Sequence, residues 1–323
     1  MGFKFFCGGG RIFSIPRSGF LLDRTGAVAY NRATIAKTEN LMDKQIQRLR
    51  QARDRTPHYR EVLALAERML IEKCRVKDQP SLGSFAPDPV KARTRMEKGI
   101  SYLAGERQRL SSGPVAEIFS CLLASFRELN PSRHELLKKA TESKGWKLDR
   151  VLSHLLNNQL SGENLEKDLG PEGNLLFFFL VQSLKPLLEE QAEKWREAVK
   201  EFSWTKEFCP FCGGTAGMGE IRGEGRRFLH CPLCGTEWEY PRMKCPYCRN
   251  EDQERLTYFQ VEGEPESRVD ICQACRHYWK TIDSREMEGP LDFEVEDYLT
   301  LHLDHLAQEE GYLQPDKLFG EMR

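Results

Sequence analysis

The sequence predicts an α+β chain with an N-terminal all-α domain, two small four-cysteine β modules of zinc-ribbon type, and a C-terminal helix. Three observations predict this order. Apolar residues recur at threes and fours from about Thr38 to Phe202, and after Trp204 glycines, short alternating runs and paired cysteines replace that period. A helical stripe then returns at Asp292. At 323 residues the chain is too long for one metal-stapled module and long enough to bury a core of its own.

Residues 1–37 contain Cys7-Gly8-Gly9-Gly10 and Pro16 but no periodic apolar face and no secretory h-region. They read as a disordered extension or a mis-set start, with Met42 as the alternative start. Phe6 stands where an N-myristoylation signal wants Ser or Thr. The helical domain is expected over 38–203. Ile46, Leu49 and Ala52 open it, and Val62, Leu65, Ala66, Met69 and Leu70 continue after Pro57 restarts the chain. Further helices are expected over 114–129, 132–143, 148–160 and 171–202, with Pro114, Pro131 and Pro171 at helical starts, where a missing N–H costs nothing. Pro186 should kink or divide the last of these. PSLGSFAPDP, residues 80–89, reads as a loop.

The first four-cysteine module is expected over 204–242 and the second over 243–290. Thr236, Trp238 and Tyr240 alternate with Glu237 and Glu239 as a half-buried strand would, and 227–230 and 257–261 are further strand candidates. Residues 291–323 should hold one helix, over 292–308. Its stripe of Val295, Leu299, Leu303 and Leu306 needs a surface, and the N-terminal helical domain is the expected one.

Composition is 40% hydrophobic and 30% charged, that of a soluble globular protein, and no apolar run approaches the roughly 20 residues a membrane helix needs. The net charge of −1 is unevenly spread. Residues 1–60 carry twelve Lys/Arg against four acids, whereas 285–310 carry nine acids and a single Arg. The basic end reads as a solvated helix face plus a loose tail, since its cations are not interleaved with aromatics.

Eight of the eleven cysteines form four pairs: Cys209/Cys212, Cys231/Cys234, Cys245/Cys248 and Cys272/Cys275. Two thiolates on one tight turn present adjacent corners of a tetrahedron, so four pairs make two sites of four sulfurs. Gly213 and Gly235 follow the first two pairs and suit the unusual dihedral of such a turn. The others end in Arg249-Asn250 and Arg276-His277, and of these Asn250 tolerates a left-handed conformation. Gaps of 18 residues between the first and second pairs and 23 between the third and fourth, against ten between the second and third, favour sequential pairing; a nested pairing stays open. Such sites accept zinc or iron, with structural zinc the commoner. All four corners are filled by protein, which argues against Lewis-acid catalysis.

The remaining candidates carry less. Cys7, Cys74 and Cys121 stand apart, with Cys121 on an apolar helix face. His302 and His305 flank Asp304 on what reads as a solvated helix face. Gly213, Gly214, Gly217 and Gly219 come near a dinucleotide fingerprint but lack its strand–helix frame, and no catalytic triad or P-loop is present. The competing function is a zinc-ribbon nucleic-acid binder. Residues 205–290 speak against it, with twelve Lys/Arg to fifteen acids. Thiol–disulfide exchange ranks lower.

CPFCGG, HCPLCGTEWEYPRMKCPYC, ICQACRHYWK and DHLAQEEGY, in this order, resemble the FdhE-type formate dehydrogenase accessory proteins. The likeness is specific over 205–312 and general over 40–203. Arg249 and Arg276 depart from it, standing where glycine is often found. The resemblance implies a cytoplasmic adaptor that is not an enzyme, with two rubredoxin-like modules after a helical domain. It implies two metal ions per chain, iron being expected and zinc the alternative, held by the eight paired cysteines. It implies as partner the catalytic subunit of a respiratory formate dehydrogenase during maturation, and neither nucleic acid nor a membrane span. Glu237, Trp238 and Arg242 are expected on the rim of a partner-gripping cleft, or else in strand packing and one ion pair; a homodimer is left open.

Overall fold

The computed structural model describes residues 32–77, 88–107, 110, 112–143, 146–199, 203–315 and 318–320. The expectations for residues 1–31, for Cys7, for the Cys74 side chain and for most of the 80–89 loop lie outside the described residues. The chain divides into two compact units, Met1–Leu41 and Met42–Arg323. Of the first, only the opening turns of α1 (Arg32–Arg55) are described. Every later element belongs to the second.

The helical part contains α2 (Arg60–Lys77), α3 (Pro89–Glu97), α4 (Ser112–Leu129), α5 (Pro131–Thr141), α6 (Leu148–Leu156), α7 (Gly162–Leu169) and α8 (Gly173–Val199). Their starts are written in the sequence. Asp88 accepts from the Val90 and Lys91 amides, with Pro89 beside it, and Asn130 and Pro131 repeat the arrangement for α5. Ser161 and Asn164 form a capping box on α7. Two of these helices went unpredicted. The short α3 was hidden by its Pro-rich approach, and α6 ends at Leu156 rather than at 160, leaving room for α7. Gly173 allows α7 and α8 to touch: a Cβ there would lie 2.2 Å from the Glu166 amide nitrogen and the Leu165 carbonyl carbon.

Of the two outcomes expected at Pro186, a kink or a division, the division does not occur, and α8 runs through it as one element. Flanking Leu184, Leu187 and Leu188 are all buried in the bundle core, and that packing holds one continuous helix across the missing N–H. The same core joins Phe119, Leu122 and Phe126 of α4 to Val151, Leu152 and Leu155 of α6. It then runs without a break into Trp204, Phe211 and Trp238, so the change of texture at 203–208 is not a gap in the packing.

The cysteine-bearing part is one mixed sheet of six strands in the order β3-β2-β1-β6-β5-β4. The strands are β1 (Met218–Arg222), β2 (Arg226–His230), β3 (Glu237–Glu239), β4 (Leu256–Phe259), β5 (Ser267–Cys272) and β6 (His277–Asp283). Two four-cysteine modules were expected, and they share one sheet: β1 pairs in parallel with β6, Met218 opposite Lys280, which joins two antiparallel halves. β1, β5 and β6 lacked a sequence signal because they are buried on both faces or carry polar residues such as Lys280 and Thr281 inward.

The C-terminal helix is two helices. α9 (Phe293–Leu299) and α10 (Leu301–Glu309) break at Thr300 because they serve different surfaces. Val295 of α9 packs with Leu49, Leu63, Ala66 and Leu70, whereas Leu303 and Ala307 of α10 pack with Val269, Ile271 and Tyr278 of the sheet. Carboxylates of α9 also reach the basic helices: Glu296 receives a two-pronged bond from Arg48, and Glu294 lies 2.5 Å from Lys73 and 2.7 Å from Lys185. Burial pushes the Glu294 carboxyl up, but the two ammonium groups outweigh it and hold it well below the usual carboxylate range. The lopsided charge of the sequence is therefore in part an internal attraction. The basic end was expected to be a solvated face; of its cations, Arg48 pairs instead with Glu296 of α9, and Arg50 and Arg53 pair with Glu67 of α2.

Beyond α10 the chain returns over the sheet. Leu313 exchanges backbone bonds with Arg276 and Tyr278, and Leu318 and Gly320 bond to Thr215 and Gly213. This strap touches the last and the first cysteine turns in succession.

Candidate metal centres

Four turns carry the cysteines, and all four share one backbone pattern. The residue after the second cysteine donates its N–H to the first cysteine's carbonyl: Gly213 to Cys209, Gly235 to Cys231, Arg249 to Cys245 and Arg276 to Cys272, at 2.9–3.1 Å. That residue is left-handed every time, with φ of 77°, 65°, 63° and 60°. Asn250 was expected to take the strained position in the third turn; Arg249 takes it instead, in the slot glycine fills in the first two.

The turns gather sequentially. Cys209, Cys212, Cys231 and Cys234 form one set, and Cys245, Cys248, Cys272 and Cys275 the other. Sulfur separations are 3.5 Å for Cys209–Cys234 and Cys212–Cys231, and 3.7 Å for Cys245–Cys275 and Cys248–Cys272. A disulfide is about 2.0 Å long. A tetrahedron with metal–sulfur bonds of about 2.3 Å has edges of about 3.8 Å, so both sets fit a tetrahedral ion. The first set is buried throughout, whereas Cys248 and Cys275 of the second are half-buried.

Amide donors reinforce the fit. The Gly214 N–H points at Cys212 Sγ (3.3 Å), and the Tyr247 and Cys248 amides point at Cys245 Sγ (3.4 and 3.5 Å). Such bonds stabilise thiolates rather than thiols. The sulfurs of each set also shift one another. Burial raises Cys209, but hydrogen bonds from the other three sulfurs outweigh it and bring it well down; burial pushes Cys212 and Cys234 up. In the second set the hydrogen bond from Cys245 leads in lowering Cys275 to about 4, while burial raises Cys272 to about 11.

Sequence reading missed the cation beside the first set. Arg107 sends its Nε to the Cys212 carbonyl (2.8 Å) and lies 4.0 Å from the centroid of the buried Phe319 ring, under the C-terminal strap. A divalent ion with four thiolates carries two net negative charges, and Arg107 is placed to balance part of them. Tyr102 and Leu103 donate to the Pro210 and Phe211 carbonyls at 2.8 and 2.9 Å, so the segment after α3 is bonded directly to the first turn. Gly214 has no room for a side chain, since a Cβ would sit 2.8 Å from Cys231 Sγ.

Glu237, Trp238 and Arg242 lie on β3 and the turn after it. Trp238 is buried and donates its Nε1–H to the Lys206 carbonyl (3.1 Å). Glu237 pairs with Arg222 at 2.5 and 2.8 Å. Arg242 is exposed. All three line a cleft of about 750 Å³ between the end of α8 and the β3 side of the sheet. Glu220, His230 and Glu237 also cluster, but Arg222 pairs with both carboxylates and already supplies a cation there. His302 bonds Glu264 and His305 lies near Glu309, while Asp304 turns inward to Lys280, so these three do not converge. Cys121 is half-buried on α4, away from both sets.

A family model described as FdhE, central domain, matches residues 208–242, and one described as FdhE, C-terminal domain, matches 243–317. The junction falls between the two sulfur sets. A protein named Protein FdhE homolog from Aquifex aeolicus is 34% identical over 154 residues, 46% of this chain and 53% of that protein. Another from Pectobacterium carotovorum is 30% identical over 203 residues, 59% of this chain and 61% of that one. The chain thus spans about half the length of the relatives it matches in sequence. The crystal structure of the FdhE protein from Pseudomonas aeruginosa superimposes with a TM-score of 0.64 at 25% identity, covering 87% of this chain and 96% of that one.

Proposed function

The chain belongs to the FdhE family, and we propose that it is a cytoplasmic, non-catalytic adaptor for the maturation of formate dehydrogenase, binding that enzyme's catalytic subunit through metal-stabilised, rubredoxin-like turns. The observation that carries this reading is the closed geometry of the two sulfur sets. Each has four protein donors at tetrahedral spacing, which would leave no position for a substrate and would make a bound metal a structural clamp. Cys209, Cys212, Cys231 and Cys234 would hold one ion, and Cys245, Cys248, Cys272 and Cys275 the second. Iron is the expected metal and zinc the alternative.

Several features support an adaptor over a nucleic-acid binder. Arg48, Lys73 and Lys185 of the helical part are paired with Glu296 and Glu294, which removes them from any phosphate-binding face. No helix among the described residues is long and apolar enough to cross a membrane. Glu237, Trp238 and Arg242 would take part in partner contact at the cleft they line. The test is an anaerobic pull-down from the native cell with the tagged, metal-loaded chain. Enrichment of a formate dehydrogenase catalytic subunit is the expected result; salt-sensitive recovery of nucleic acid without that subunit would refute the reading.

A further inference from the structure

We propose that the cleft beside β3 binds an extended, acidic segment of the client as a seventh strand of the sheet, an inference that rests on the adaptor reading and specifies its recognition chemistry. The first support is the sheet edge. β3 is terminal in the strand order. The Cys231 amide donates to the Thr236 carbonyl and the Tyr240 amide to the Arg227 carbonyl, and His230 stands opposite Glu237 and Phe228 opposite Glu239. In an antiparallel ladder bonded pairs alternate with unbonded ones, so the Glu237 and Glu239 backbone groups face outward. No backbone bond from the described residues reaches those groups. An open edge of this kind is a template for strand addition.

Charge supplies the second support. Arg196, Arg226, Arg227 and Arg242 line the cleft, against two carboxylates, Glu237 and Glu239. Both carboxylates are already engaged, by Arg222 and Arg226 respectively. Arg196 and Arg242 are exposed, and no carboxylate among the described residues pairs with either. The third support lies deeper. Trp195 and Arg227, 2% and 3% exposed, also line the cleft, and Trp195 Nε1 and Arg227 Nε are buried donors without an acceptor. Buried donors are normally satisfied. An edge that lacks a strand, a surplus of cations and two waiting donors call for a ligand rich in acceptors: an extended backbone with carboxylate side chains. A basic leader segment would meet like charge.

The test uses the full, metal-loaded chain and fluorescein-labelled hexapeptides of alternating Val and Glu, or Val and Lys. The acidic peptide should bind, at least ten-fold more weakly to the Arg196→Glu/Arg242→Glu double variant, and not at all when alternate amides are N-methylated to block ladder bonds. The basic peptide should bind only the double variant. Unchanged metal content and far-UV circular dichroism establish that the variant is folded, as its exposed positions predict. Equal binding of both peptides to the wild type, indifference to N-methylation, or a β3-to-β3 dimer that the acidic peptide does not displace would overturn the inference. The pull-down separates the two levels. Capture of the catalytic subunit undiminished by the double variant overturns the cleft and leaves the adaptor reading standing, whereas failure of the wild-type chain to capture it overturns both.

Discussion

The ammonium of Lys280, a side chain with no exposed surface, lies 2.6 Å from the Asp304 carboxylate of α10. Asp297 closes the other side at 2.7 Å, and Tyr278 donates to the second oxygen of Asp304 at 2.8 Å. Burial alone would lower the Lys280 pKa, but the two carboxylates outweigh it and raise it, so the group stays charged. Removing one member leaves a buried charge without its partner. Lys280→Met should cost about 3–5 kcal/mol in denaturant unfolding, and Lys280→Met/Asp304→Leu should recover most of that. Equal loss in the single and double variants would mean that the lysine stem, not its charge, anchors α10.

The first sulfur set admits no extra atom at Gly214. Gly214→Ala would put a methyl group 2.8 Å from Cys231 Sγ and 3.1 Å from Cys212 Sγ. Metal analysis of the anaerobically purified variant should fall from two ions per chain to one, as it should for Cys234→Ser. Cys245→Ser should lose the other ion. Retention of two ions by Gly214→Ala would show that the turn opens freely.

Two arginines stand at left-handed backbone positions, with different compensation. Arg249 is exposed and its ion-pair partner among the described residues is Glu207, at 3.7 Å, whereas Arg276 bonds the Glu310 and Gly311 carbonyls and lies 4.2 Å from the Tyr312 ring centroid. Relieving the backbone with glycine is worth up to about 1 kcal/mol. Arg249→Gly should therefore raise the melting temperature, while Arg276→Gly should gain nothing or lose stability as the strap loosens. Equal gains in both would refute the tethering role of Arg276.

Acid should weaken the sheet through Glu220. Burial pushes its carboxyl up, but hydrogen bonds and charge from His230 and Arg222 outweigh that and hold it at about 2. The folded value lies below the unfolded one, so its stabilisation is complete above about pH 4.5 and fades as pH falls toward 2. Thermal melts of wild type and Glu220→Gln should differ by an amount on the order of 2–3 kcal/mol at pH 6 and converge only below about pH 2. A difference that does not shrink in acid would place the cause in packing rather than in charge.

Much of this architecture was legible in the sequence, and the residues that were not share a reason. The cysteine turns could be read because their spacing is local, and β3 because Thr236, Trp238 and Tyr240 point in while Glu237 and Glu239 point out. α6 was legible because Val151, Leu152, Leu155 and Leu156 fall on one face. Asp304 read as a surface residue and Lys280 carried no signal, since only a tertiary partner explains a buried charge. Arg107 stands 105 residues from the carbonyl it holds, so no local pattern could flag it. The parallel β1–β6 seam likewise has no turn residue to announce it.

The strap over the first cysteine turn sets an order in time. Phe319 lies 85 residues after Cys234, the last cysteine of the first set. At synthesis rates of 5–20 residues per second, that set stands without its lid for roughly 4–17 s, and β1 waits more than half that long for β6. During that interval the ribosome-bound chain presents half a sheet with a bare central edge and an uncovered thiol cluster. Delivery of metal to the first set before the lid closes would make the ion a participant in folding rather than a late addition.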